Sequence, residues 1–323
     1  MASFAPILNP AAPTPGDDFL FGSQVNDFIL AGPGSDEIHG LGGDDFIAGG
    51  IDDDTLYGGS GDDTLNANAG DDFLFGDAGD DLMRGGDGDD ELDGGSGDDA
   101  LFGLAGDDVL VGGSGVDALD GGDGDDRIYG GSGDDTGLLG DLFENVGLYG
   151  GAGDDLVDGG SGDDDIGGGE GDDVLLGRSG GDRILGGSGD DVLRGGSGND
   201  GLFGDGGDDL HFGGLGDDTL RGFAGDDVYT GGGGEDNFVY DLTLGGGDDT
   251  VLDFTQGDFI QMFGVAEASV DTSNPAGNVI DDADGLVEEV GGNLVIDFGG
   301  GNSLTVVGVT TLTVGVDIGF PFS

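Results

Sequence analysis

The chain has 323 residues, of which 82 are glycine and none is cysteine, and its 71 acidic side chains against six basic ones leave a formal charge of −65. That balance repels nucleic acid and anionic membranes and calls for a cation as counter-partner, while the lack of cysteine excludes disulfides and thiolate metal sites. No apolar run reaches the ~18–20 residues needed to cross a bilayer, and so much glycine belongs to a repeat array rather than an ordinary core.

The segment 1–15 scatters Pro6, Pro10, Pro13 and Pro15 and carries no basic residue, which predicts a short Pro-rich cap and no Sec-type signal peptide. From residue 16 a nine-residue unit takes over, approximately Gly-Gly-x-Gly-Asp-Asp-x-apolar-x, as in Gly85-Gly86-Asp87-Gly88-Asp89-Asp90-Glu91-Leu92-Asp93. Its aspartate falls in phase at Asp18, Asp27, Asp36, Asp45, Asp54, Asp63, Asp72, Asp81, Asp90, Asp99, Asp108, Asp117, Asp126 and Asp135. It returns in phase at Asp155, Asp164, Asp173, Asp182, Asp191, Asp200, Asp209, Asp218, Asp227 and Asp236. Self-similarity at a fixed period predicts a solenoid. Between the blocks, at about 136–152, the signature fades although Glu144 keeps phase, which reads as a bulged, degenerate half-turn inside a continuous solenoid over 16–240. Residues 241–323 predict a small β-rich C-terminal cap, with strand-like runs at Asp249–Phe254, Phe259–Phe263, Asn293–Phe298, Ser303–Val307 and Leu312–Ile318.

With the in-phase aspartate as position six, position eight is apolar in 22 of 24 repeats, Gly137 and His211 being the exceptions. A three-residue strand centred there would turn one side chain inward and its two neighbours outward. Five of the six arginines fall on those outward positions, and Arg178 is expected in a loop. Both histidines read as structural, His39 on a flanking strand position and His211 inward. Position four is glycine except at Val25 and Asp52, as a tight turn with positive φ requires. Three strand and six loop residues make half a turn, so aspartates eighteen apart stack in two columns. At a coil spacing of about 4.8 Å, neighbouring carboxylates would repel by about 3.5 kcal/mol at an effective dielectric near 20. A cation between loops converts that repulsion into attraction. The donors on offer are carboxylate and carbonyl oxygens, a hard set that favours Ca2+ over zinc or magnesium.

These residues resemble the RTX family, the hemolysin-type calcium-binding repeat proteins with the motif Gly-Gly-x-Gly-x-Asp-x-apolar-x. The resemblance implies an all-β fold, a parallel β-roll solenoid, with each calcium between two loops on one edge. Position-six aspartates of both loops, such as Asp72 with Asp90 or Asp173 with Asp191, would then share an ion with loop carbonyls, giving at most about twenty ions. Val25 puts the loop of Asp27 in doubt, Asp52 either tolerates the turn or distorts it, and the turn near Glu144 is expected to lack a normal site. The second aspartate of each doublet, such as Asp89 or Asp107, is expected to be a solvated charge, with an outer-shell ligand as the alternative. The run from Gly247 to Ile260 resembles the region that follows the repeats in type I secreted members, and Val316–Phe320 is compatible with their uncleaved C-terminal signal.

No His-Glu-x-x-His or Gly-x-Ser-x-Gly motif is present, and carboxylates recurring every nine residues do not single out a glycosidase pair. No lysine exists to accept the acylation of pore-forming members, and position three lacks the regular threonine of an ice-binding face. The expectation is a non-enzymatic, secreted, extracellular or cell-surface structural protein that folds on calcium. Its expected partners are calcium ions and the type I secretion machinery, with homopolymer formation open and no nucleic-acid or membrane partner. The alternatives are a soluble, monomeric calcium-binding protein, or an accessory or remnant of an RTX enzyme or toxin.

Overall fold

The computed structural model describes residues 15–136, 147–241, 246–255, 257–263, 287–290, 293–299 and 302–307. The chain divides into two compact units, Met1–Glu170 and Gly171–Ser323. Among the described residues every regular element is a β-strand.

In the first unit, successive strands alternate between two parallel sheets, so each strand pairs with the ones two places away. Thr55–Ser60 lies beside Phe73–Ala78 with Leu56 opposite Leu74 and Tyr57 opposite Phe75. In the other sheet Leu82–Asp87 lies beside Ala100–Ala105 with Met83 opposite Leu101. The eighteen-residue coil is therefore observed, and identical repeat positions lie directly above one another.

The strands are twice as long as expected. Apart from Phe19–Phe21 and Glu37–His39, most run six residues, through positions seven to nine and on through both glycines and position three, as in Glu91–Ser96. The connecting loop shrinks to positions four to six. The burial pattern shows why: Leu92 and Gly94 both face inward, two places apart. Position one is glycine apart from a few repeats, such as those with the buried Ala31 and Ala67, so it leaves almost no apolar mark in the sequence although it belongs to the inner face. Its lack of a side chain lets the facing sheet approach over a core one apolar residue thick, such as Ile38, Leu56, Leu74, Leu92 and Leu110, each 0% exposed.

The fading stretch is resolved differently from the expected degenerate half-turn. Ala118–Asp123 pairs directly with Leu148–Ala152, Leu119 opposite Leu148, and the Asp126 N–H donates to Asp155 at a separation of 29 residues. One coil therefore carries eleven extra residues and its strands keep register; Gly137 and Glu144 lie outside the described residues.

The second unit repeats the pattern from Val174–Ser179 and Arg183–Ser188 onward. Arg178 sits within a strand at position two, not in a loop, with φ 76°. Leu41, Asn68, Asp77, Leu104, Asp205 and Phe223 occupy the same position of their units, all with positive φ. Parallel stacking does not stop at residue 240: Val228–Gly233 pairs with Asp248–Val251, and Asn237–Asp241 pairs with Phe259–Phe263. One sheet then ends in an antiparallel meander of Asn302–Val306, Asn293–Gly299 and Val287–Val290, which closes an open parallel edge. Residues 1–14 and the runs Leu312–Ile318 and Val316–Phe320 lie outside the described residues.

Candidate metal centre

Strand and loop geometry bring the position-six aspartates into columns. Asp18 is half-buried at the first loop, and the series from Asp27 to Asp236 is buried throughout. From Asp36 onward along one edge and Asp45 along the other, Oδ1 accepts the backbone N–H of the aspartate one coil earlier. On one edge of the first unit, the N–H groups of Asp72, Asp90 and Asp108 donate to Asp90, Asp108 and Asp126 at 2.8, 2.7 and 2.7 Å. On the other edge, Asp63, Asp81 and Asp99 donate to Asp81, Asp99 and Asp117 at 2.7, 2.8 and 3.0 Å. In the second unit, Asp173 donates to Asp191 at 2.8 Å and Asp182 to Asp200 at 2.8 Å. The pairs Asp72 with Asp90 and Asp173 with Asp191 are thus stacked neighbours, as their spacing predicts.

The second oxygen of each carboxylate is the informative atom. Oδ2 of Asp45, Asp63, Asp81, Asp90, Asp108 and Asp126, among others, is buried and accepts no hydrogen bond. It points at the bare α-carbon of position one: a β-carbon on Gly76 would meet both Asp81 Oδ2 and the Gly94 carbonyl of the next coil, and one on Gly103 would meet Asp108 Oδ2 and the Gly121 carbonyl. Carboxylate and carbonyl oxygens converge there with no proton donor among them. A buried, unsatisfied polar oxygen costs about 1–3 kcal/mol, more when it is charged. Burial, followed by repulsion from Asp108 and Asp72, pushes the Asp90 carboxyl up to about 7 despite the N–H it accepts. Asp54, Asp63 and Asp99 are likewise held near 7, burial again being the largest cause. A proton or a hard cation relieves this arrangement, and the all-oxygen donor set fits calcium.

The family model for the RTX calcium-binding nonapeptide repeat (four copies) matches residues 14–47, 48–83, 66–101, 75–110, 102–137, 148–175, 176–210 and 212–238. The chain belongs to this family. Among the curated proteins no match to this RTX protein is found. Among solved structures it is similar to the extracellular lipase LipA from Serratia marcescens, at 20% identity and a TM-score of 0.20 over 82% of this chain and 38% of that one. The RTX chain therefore spans well under half the length of that lipase chain.

Two departures noted in the repeats have visible outcomes. In the Val25 loop the Asp27 side chain turns, so that Oδ2 accepts the Ser23 N–H and Oδ1 is the unpartnered oxygen. Asp52 adopts the turn, with φ 74°, and Asp54 keeps its place in the column, donating to Asp72 Oδ1 at 2.6 Å.

Two sets of residues in the RTX protein escaped the sequence reading. The columns continue past Asp236: Asp227 N–H donates to Asp249 Oδ1 and Asp236 N–H to Asp258 Oδ1, both at 3.1 Å and 22 residues apart. The signal was present in Gly247-Asp248-Asp249-Thr250-Val251, which reproduces positions four to eight after four extra residues. The outer aspartates of the doublets also form a ladder of their own, running the opposite way. Oδ1 of Asp53, Asp71, Asp89 and Asp107 accepts the N–H of Asp71, Asp89, Asp107 and Asp125 at 3.0–3.1 Å. These exposed residues tie loop to loop, which neither expectation for Asp89 and Asp107 foresaw.

Outward positions carry rings and cations. Phe21, His39, Tyr57 and Phe75 stack at 5.0, 4.5 and 5.0 Å, and His39 Nε2 lies 2.9 Å from Glu37. Arg84 and Arg194 lie over Phe102 and Phe212 of the next coil, cation–π contacts that give a lone cation a partner.

Proposed function

We propose that this calcium-binding repeat protein is a secreted structural component that folds on meeting calcium outside the cell, as part of a surface, matrix or filament assembly. The observation that supports the calcium step is the row of buried Oδ2 atoms converging with carbonyls on a space without a donor. The proposed ligands are the position-six aspartates from Asp18 to Asp236, with Asp249 and Asp258 added at the end of the columns. A bound calcium ion supplies two positive charges and a demand for six to eight oxygens.

The chain's own residues prepare that environment. Along the columns Oδ1 fixes the carboxylate through the preceding N–H, the small residue at position one, nearly always glycine, limits what fills the space, and Oδ2 of adjacent coils supplies the charge to be neutralised. Without a cation the columns repel, so the chain stays unfolded where calcium is scarce, as in the cytosol. Passage through a type I secretion machinery before folding is consistent with that dependence and with the family. Up to about twenty ions would cut the charge to roughly −25, which removes most of the barrier to copies of the chain associating. No catalytic residue, nucleic-acid partner or membrane insertion forms part of this reading.

The test is light scattering and negative-stain imaging of the purified chain before and after millimolar calcium, with circular dichroism to follow strand formation. Calcium-dependent strands followed by regular filaments or sheets support the full reading. A folded monomer would reduce it to a soluble calcium-binding protein. Strand content indifferent to calcium would overturn it.

A further inference from the structure

Position eight is the inward, apolar point of every described repeat except one, where His211 takes the place of leucine in the strand Leu210–Leu215. It stacks between Leu193 and Tyr229 of the adjacent coils and is 0% exposed. Neither ring nitrogen has a hydrogen-bond partner. Whichever tautomer is present, one N–H and one lone pair are buried unsatisfied, each costing about 1–3 kcal/mol. A leucine would avoid that cost, as it does at position eight on either side in sequence, at Leu202 and Leu220.

The imidazole is not alone. Nitrogen of His211 and carboxylate oxygens of Asp209 and Asp227 lie within 4.8 Å of one another, and all three residues are buried. Asp209 Oδ2 accepts no hydrogen bond. The bare α-carbon of Gly204 faces the gap, since a β-carbon there would meet both Asp209 Oδ2 and, at 3.0 Å, His211 Nε2. Tyr229 OH accepts the Gly222 N–H at 3.0 Å and donates toward Asp227 Oδ2 or Asp249 Oδ2, each at 3.3 Å, which orients the carboxylates beside the ring. Such outer partners commonly orient metal ligands.

We infer that His211, Asp209 and Asp227 form a site for a borderline divalent transition-metal ion of the zinc class, distinct in chemistry from the calcium positions of the same column. Calcium takes oxygen ligands, whereas a neutral imidazole suits zinc, cobalt or nickel. Two carboxylates balance the charge of a divalent ion, and the imidazole supplies a ligand without adding charge to the core. The inference rests on the calcium reading in that Asp209 and Asp227 also belong to the column.

The experiment loads the full chain with excess calcium, which occupies the oxygen-only positions, and titrates it with cobalt and with zinc. His39, the only other histidine, sits half-buried on an outward position of the first unit beside Glu37, so nitrogen ligation inside the roll reports His211 alone. The expected result is one equivalent bound per chain, with visible cobalt absorption of an imidazole–carboxylate site and a shift of the His211 ring nitrogens in the NMR spectrum. In His211→Leu, which restores the usual inward residue, binding weakens by about 100-fold or more, because losing even an outer-shell partner costs roughly 10–100-fold. Calcium-induced strand formation of that variant, read by circular dichroism, verifies its fold. Equal zinc affinity in the two proteins, or no cobalt absorption in a calcium-folded wild type, would overturn the site. Failure of calcium to fold either protein would count against the calcium reading instead, and the nitrogen shift with zinc would still judge this one.

Discussion

Replacing Asp108 by asparagine should move stability in opposite directions with and without calcium. Asparagine keeps an Oδ1 for the Asp90 N–H, which Asp108 accepts at 2.7 Å, but it replaces the buried, unpartnered Oδ2 with an uncharged amide. In the absence of metal, burial above all and then repulsion from Asp89 and Asp107 raise the Asp108 carboxyl from 3.8 to about 6. A raised carboxyl costs the fold nothing below the unfolded value, where both states hold the proton. The cost grows as pH climbs from 3.8 towards 6 and is complete above that. In chelator, then, acid should favour the roll and neutral pH should oppose it. At pH 5 one such group costs at most about 1.6 kcal/mol, from 1.36 kcal/mol per unit. Asp108→Asn removes that cost and should raise the melting temperature by roughly 3–6 °C, at about 2–4 °C per kcal/mol. In calcium at neutral pH the same change deletes an anionic ligand and leaves its stacked partners underneutralised, a loss of about 3–5 kcal/mol by analogy with broken buried ion pairs. The assay is thermal unfolding followed by circular dichroism under both conditions. A shift of the same sign in chelator and in calcium would refute the assignment of the Oδ2 columns to the cation.

Gly103→Ala places a methyl against Asp108 Oδ2 and the Gly121 carbonyl without asking for positive φ. It should cost about 1–3 kcal/mol as overpacking and lower the calcium stoichiometry measured by titration calorimetry, whereas an unchanged count would place the ion elsewhere. Asp71→Ala should remove the acceptor of the Asp89 N–H, 3.1 Å away on the exposed loop. A loss of about 0.5–1.5 kcal/mol in calcium-loaded stability, with the calcium count unaltered and recovery in Asp71→Asn, would separate this outer ladder from the inner one.

The coil, its two edges and the columns were legible because each rests on a strict period: eighteen residues return the chain to the same edge, and Asp72 therefore meets Asp90. Strand length was not legible, because position one faces the core as glycine in nearly every repeat and carries almost no apolar signal, so the inner face reads as a single residue instead of two. The role of the outer aspartates was hidden for another reason. An exposed carboxylate looks the same in sequence whether it is solvated or, like Asp89, holds the N–H of Asp107 at 3.0 Å. Asp249 and Asp258 were missed because four extra residues shift them out of phase, although local identity is preserved. Arg178 was assigned to a loop because positive φ at position two, filled elsewhere by Leu104 and Phe223, is not announced by residue type.

The eleven extra residues between Asp126 and Asp155 and the four between Asp227 and Asp249 leave the same hydrogen bond in place, at 2.7 and 3.1 Å. Alignment of one coil on the next is thus measured by the meeting of a carboxylate with an N–H, and the contour length of chain between them does not enter. A solenoid ruled in this way reads its own register at every edge, whatever the length of the chain between. New segments can therefore be accepted at a loop during evolution, or grafted there by hand, while the strands on either side remain in step.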